Sequence, residues 1–215
     1  FWTRHAPLPI PLLNVGPAPS LGITGENGVL TYLGNDEISY HTFSGIRVNA
    51  GTWFTANQTV GVEGSIFVLP TKTNGTPNLY GTEFLPTMAR PFFDTALNRE
   101  NSRLLTRPNT FLGGFQVEGT QMLWGAEVLP VWRAIDNGGW FTMDFLTGFK
   151  FLSLEESLTL SDFASVGALG VANYNGQEYR APAVTYVQDR FATTNRFYGG
   201  VVGLRANANY EAFTL

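Results

Sequence analysis

Residues 43–54, Phe43-Ser-Gly-Ile-Arg-Val-Asn-Ala-Gly-Thr-Trp-Phe54, and residues 59–70, Thr59-Val-Gly-Val-Glu-Gly-Ser-Ile-Phe-Val-Leu-Pro70, decide the fold. Four residues, Thr55-Ala-Asn-Gln58, separate them. In the first arm Ile46, Val48, Ala50 and Phe54 alternate with Arg47, Asn49 and Gly51. In the second, Val60, Val62, Ile66 and Val68 alternate with Gly61, Glu63 and Ser65. Period-2 alternation makes each arm a strand with one apolar and one polar face. Arms longer than the usual five or six residues, with charge on the polar face, match a strand between lipid and a polar lumen. A soluble sandwich alternates too, but it seldom needs strands of this length.

Composition narrows the field. Charged residues make up 14% of the 215-residue chain and aromatics another 14%, with 24 glycines. A charge content well below the roughly 25% of soluble proteins suits an outer surface that meets lipid. It suits a secreted β-protein as well. The net charge of −4 comes without a basic stripe and argues against a nucleic-acid partner. With no cysteine, a disulfide framework and thiolate metal sites are excluded. No apolar run approaches the length of a transmembrane helix.

Further strand patterns lie at 113–134, from Trp140 to about Phe151, and from Tyr198 to Ala206. Ile135-Asp-Asn-Gly-Gly139 is a turn by its chemistry, because Asn-Gly supplies the positive φ of a tight hairpin. Pro130 is expected to bulge or break the 113–134 strand, since it removes a ladder donor. Three long connections are expected at about 3–42, 71–112 and 161–192; the first holds five prolines from Pro7 to Pro19 that should break any ladder. Short turns would therefore line one edge of the sheet and long loops the other, the asymmetry of outer-membrane barrels.

The fold class expected is all-β: an antiparallel up-and-down transmembrane barrel, partial, with about six strands in this chain. Eight strands are the usual minimum for closure. Residues 1–215 are therefore expected to form one barrel domain cut short at both ends, since the chain begins Phe1-Trp2 as if in mid-strand and ends at Tyr210–Leu215 as a turn entering another.

Several segments stand out in order along the chain: Phe43-Ser-Gly-Ile-Arg47, Val62-Glu-Gly-Ser-Ile-Phe67, Ala89-Arg-Pro-Phe-Phe-Asp94, Gly125-Ala-Glu-Val128, Leu146–Glu156, and Asp189-Arg-Phe-Ala-Thr-Thr-Asn-Arg-Phe-Tyr-Gly-Gly200. Together they resemble the outer-membrane β-barrel porins of family seven, a planctomycete-type family. The Ala89–Asp94 and Asp189–Gly200 pieces are the most specific. The resemblance implies a bacterial outer-membrane location and a porin-like barrel, of which this is the N-terminal part. It carries over no catalytic motif and no cofactor.

Alternation assigns candidate residues to faces. Lumen-facing charges are expected at Arg47, Glu63, Glu118, Glu127, Asp144, Lys150 and Arg205, either lining a pore or pairing with one another in a filled barrel. Lipid-facing residues are expected at Ile46, Val48, Val60, Val62, Val68, Phe145, Phe149, Val202 and Leu204. Trp2, Phe54, Trp132 and Phe141, with Trp53 and Trp140 nearby, lie near strand ends, where an aromatic girdle belongs. Arg90, Phe92, Phe93 and Asp94, with Asp189 and Arg190, form an expected loop cluster that folds into the mouth or holds loops together. His5 and His41, the only histidines, have no ligand spacing that calls for a metal, and no nucleophile–base order stands out.

The expected function is passive passage of ions or small polar solutes, without enzymatic activity, with membrane lipids as partners and homo-oligomers compatible with the pattern. Two rivals stay open. One is a plugged structural or receptor barrel whose long loops bind a partner; the other is a soluble secreted carbohydrate-binding β-sandwich.

Overall fold

The computed structural model describes residues 2–18, 20–81, 87–138, 140–174, 177–210 and 213–214; side chains at 2–6, 174, 209–210 and 213–214 lie outside the description. Its elements are β1 (Trp2–Gly16), β2 (Leu30–Phe43), β3 (Ile46–Trp53), β4 (Val60–Gly75), β5 (Leu79–Tyr80), β6 (Thr87–Asp94) and β7 (Arg99–Thr106). They continue with β8 (Phe111–Asp136), β9 (Phe141–Val166), β10 (Ala172–Tyr174), β11 (Gln177–Tyr179), β12 (Val184–Tyr210) and β13 (Phe213–Thr214). Every pairing is antiparallel, and no helix occurs among the described residues. The main sheet runs β13-β12-β9-β8-β4-β3, with β5 added to β8, and a second sheet runs β2-β1-β6-β7. Neither closes into a barrel among the described residues.

The central strands are long. At 26 residues each, β8 and β9 extend ~85 Å at the usual rise, against a hydrocarbon core of ~30 Å. The expected tight turns cap one edge. At the first, Thr55 Oγ1 accepts from the Thr59 amide at 2.8 Å; at the second, Gly138 adopts φ 70° and the Asn137 amide reaches the Phe141 carbonyl at 3.0 Å.

Register makes the faces explicit. The rows Val48–Ile66–Ala126–Phe151–Tyr198 and Val60–Trp132–Phe145–Leu204 lie on one face of the sheet. Between them run Ala50, Gly64, Val128, Phe149 and Gly200, then Thr52, Val62, Pro130, Thr147 and Val202. This outer face is an apolar band from Trp124 to Trp132, about nine residues per strand, which is what a tilted strand needs to cross a bilayer. Beyond Trp124 the same face turns polar, with Thr120, Glu118 and Gln116 beside Ser157, Thr159 and Ser161.

The opposite, inner face changes the other way. Within the apolar band's span it carries charges; beyond it, Phe115, Val117 and Leu160 are 2–4% exposed and pack against Leu12, Leu13, Met88 and Leu105 of the second sheet. Nearer the band, Tyr40 and Phe43 of β2 cover Leu69 and Leu123. Along β8 and β9 the two faces thus exchange polarity near Trp124.

The structure corrects several expectations. The three long connections hold strands: β1 and β2 pair through the proline-rich segment, β6 and β7 form a hairpin, and β9 and β12 extend far into 161–192. Pro7, Pro9 and Pro11 are tolerated because β1 meets its second neighbour, β6, only at Asn14–Gly16, so their missing N–H groups need no partner there. The ladder shifts register on both sides of Pro11, opposite Gly34 at φ 98°. Pro130 neither bulges nor breaks β8: Val128↔Phe149 and Val131↔Leu146 keep one register across it. Close approach there needs a glycine, since a Cβ on Gly148 would lie 2.0 Å from the Val128 carbonyl oxygen. The register shift falls instead between Arg133 and Ile135.

Candidate functional site

The inner face inside the apolar band is the candidate site, and strand parity positions it. Asn49, Ser65, Glu127, Lys150 and Gly199 form one row; Arg133, Asp144 and Arg205 form another nearer the tight turns. Arg47 lies one row from Asn49 and Glu63 one row from Ser65, in strands that alternate strictly. Six of the seven charges expected on this face, Arg47, Glu63, Glu127, Asp144, Lys150 and Arg205, therefore share it.

Glu118 does not share it. It pairs with Thr159 and lies on the polar continuation of the outer face, because β8 runs from Glu118 to Glu127 without a bulge and the two residues differ in parity.

The charges form two clusters. Asp144, 1% exposed in its side chain, accepts from Arg133 Nε at 3.0 Å and from Arg205 Nη2 at 3.0 Å. Arg205 also meets Glu63 bidentately, at 2.7 and 3.0 Å. Arg133 stacks its guanidinium 4.8 Å over the Trp53 ring and donates to Gln58 at 3.3 Å. Farther from the turns, Glu127 accepts from Ser65 Oγ at 2.9 Å and faces Lys150 Nζ at 3.4 Å. Arg47 lies 5.2 Å over Phe67. A concavity of about 330 Å3 opens among Asn49, Trp53, Glu63, Ser65 and Glu127.

Exposure sorts these groups by what they can do. Asp144 is wholly enclosed and holds two arginines in place. Glu127 and Lys150 retain 20% and 34% exposure, and Glu63 and Arg205 37% each; of the four, Glu63 and Glu127 line the concavity. The face thus presents accessible charges of both signs.

On the outer face, all nine residues expected there (Ile46, Val48, Val60, Val62, Val68, Phe145, Phe149, Val202 and Leu204) fall on one side by register. Val202 is 75% and Ile46 74% exposed in the isolated chain. Of the expected girdle, Trp132 stacks on Phe145 with centroids 6.1 Å apart, Phe54 is exposed beside the turn, and Phe141 contacts Trp140 at 5.7 Å. The Trp2 side chain lies outside the described residues. Trp53 faces inward under Arg133, so its expected place in the girdle is corrected by its parity.

Sequence reasoning missed a second aromatic level, where Trp124, Phe151 and Tyr198 stack at 4.9 and 5.0 Å. Its signal was present: Trp124 and Trp132 have the same parity, eight residues apart. Arg133 was missed too, although it shares parity with Glu127.

The expected loop cluster separates. Arg90 joins Asp162 at 3.3 Å and also pairs with Asp189, while Arg103 reaches Asp162 at 2.9 Å and Thr185 at 2.9 Å. These contacts clamp β6 and β7 onto β9 and β12. Arg190 lies on the opposite face from Asp189 in a continuous strand, so of the two only Asp189 faces Arg90. Phe92 and Phe93 are about half exposed on the β6–β7 hairpin. Asp94 caps its turn: the Leu97 amide, then Asn101, hold its carboxylate below the usual range.

No helix of the described residues is long and apolar enough to cross a membrane, which says nothing of strands. The family model described as "Putative beta barrel porin-7 (BBP7)" matches residues 11–215. A search of curated proteins gives no match.

Proposed function

The chain belongs to the beta barrel porin-7 family, and from that premise we propose that its main sheet is a wall segment of an outer-membrane barrel passing ions or small polar solutes passively. The observation that carries this reading is the pairing of opposite faces over the same nine or so residues. An apolar, aromatic-edged band lies outside, and accessible charges of both signs lie inside. The outer band contacts membrane lipids, and the inner wall serves as a conduit rather than a catalyst.

The experiment is planar-bilayer conductance of the full-length protein reconstituted from detergent. Discrete ohmic steps are expected. Protein that inserts and is heat-modifiable but gives no steps would overturn the conduit. Protein that never inserts would overturn the membrane assignment.

One observation favours the plugged-barrel reading as runner-up. The second sheet covers the inner face beyond the band, burying Leu13, Leu105 and Phe115 to 0–2% exposure. A filled outer half would block passage while leaving insertion intact, which is the middle outcome above.

A further inference from the structure

On the outer face, far beyond the apolar band, three rings stand in line across three strands. Tyr80 of β5 lies 6.1 Å from Phe163 of β9, and Phe163 lies 6.0 Å from Tyr186 of β12. All three share the row of Gly114 by register. Gly114 is the floor: a Cβ there would come within 2.8 Å of Phe163 and 3.1 Å of the Tyr80 ring. The absence of a side chain lets the rings lie low over the sheet and leaves a concavity of about 140 Å3.

The next row toward the membrane is neutral and polar. Gln116, Ser161 and Gln188 lie side by side, with Gln188 Nε2 donating to Ser161 Oγ at 3.2 Å. Asn78 adds an exposed amide to the rim. The row of rings at Gly114 lies ten residues, ~33 Å along the strand, from Trp124, too far to meet lipid tails. Tyr186 is 77% and Tyr80 59% exposed.

We infer that this strip binds a saccharide chain. The C–H face of a pyranose is apolar and weakly positive, and it matches the negative face of an aromatic ring. Its ring hydroxyls both donate and accept, as amides and hydroxyls do, and they need no charged partner. A line of rings with a rim of amides and a hydroxyl fits successive sugars better than an acyl chain, which would leave the amides unmet; the first charges on this face, Glu118 and Arg190, stand two rows from the rings. The site is independent of conduction and stands whether the lumen is open or filled.

The test is saturation-transfer difference NMR on the full-length protein in a detergent without a sugar headgroup. The probes are cellohexaose and the delipidated polysaccharide of a smooth lipopolysaccharide. Irradiating aromatic protons is expected to saturate pyranose C–H signals of at least one probe, and binding should weaken about tenfold in Tyr186→Ala and in Tyr80→Ala. Tyr186→Trp should preserve binding. Transfer to neither probe, or equal transfer in parent and both alanine variants, overturns the inference. Alanine variants that change the oligomeric mass and not saccharide binding would assign the strip to contacts between copies of the chain, and would overturn it too.

Discussion

Arg205 of β12 and Glu63 of β4 meet at 2.7 Å although β8 and β9 run between their strands. Three strand spacings would hold their Cα atoms ~14 Å apart in a flat sheet, before any offset along the strands. The sheet must curl toward the charged face for the side chains to touch. The contact is thus a local record of sheet curvature, and Asp144, bound to the same guanidinium, anchors it.

Asp144→Ala should be far more damaging than Glu63→Gln. It removes the enclosed carboxylate of this cluster and leaves Arg133 and Arg205 facing each other, a loss of about 3–5 kcal/mol by analogy with broken buried pairs. Glu63 and Arg205 are more than a third exposed, so Glu63→Gln should cost ~1 kcal/mol or less after solvent screening. Urea titrations of folding into liposomes check both; equal effects would remove the anchoring role.

The accessible pair sets the direction of ion preference in the proposed conduit. Glu127→Gln should shift the reversal potential in a salt gradient toward anions, and Lys150→Gln toward cations. Opposite shifts are the expected pattern. Two variants that leave the ratio unchanged would take Glu127 and Lys150 out of the conduction path.

Face inversion makes one strand respond oppositely to one substitution. Val128→Arg, in the middle of the outer band, should destabilise the inserted protein by about 2–4 kcal/mol. Glu118→Arg, on the polar stretch of the same face, should stay within ~0.5 kcal/mol. Similar costs at both positions, measured by liposome folding, would refute the boundary at Trp124.

Asp162 accepts from both Arg90 and Arg103, with its side chain fully enclosed. Asp162→Ala should loosen β6 and β7 from β9 while the band-spanning strands stay inserted. Limited trypsin digestion is expected to cut at Arg99 at least tenfold faster in the variant, with heat-modifiability of the barrel retained. Unchanged cleavage would mean that the apolar contacts alone hold the second sheet.

The Asp94 turn carries a pH signature. Its carboxylate is held below the usual range, first by the Leu97 amide and next by Asn101. A depressed folded-state pKa contributes stability that is complete above the unfolded value of ~3.9 and is lost as pH falls through the lower folded value. Protection of the Leu97 amide should therefore hold at pH 5 and fall below about pH 4. Asp94→Asn should abolish that dependence, as followed by hydrogen exchange.

Much of the site was legible in the sequence because a strand's face alternation is local. Ile46 and Val48 against Arg47 and Asn49 need only the pleat, and Asn137-Gly138 needs only the φ that a tight turn demands. The nine outer residues and six inner charges follow from that. Glu118 shows where local reading stops: the face that is apolar from Trp124 to Trp132 turns polar beyond it, an exchange that rests on the second sheet packing over Phe115, Val117 and Leu160.

By itself, then, the sequence determined the strand periodicity, the two turns and the chemical character of each face, because all three are set within a few residues. Tertiary structure alone decided that the proline-rich and loop-like segments pair into a second sheet over Phe115, Val117 and Leu160, that the faces exchange polarity at Trp124, and that Arg205 reaches Glu63. Those depend on register and curvature summed over strands as much as 142 residues apart, which no local pattern encodes.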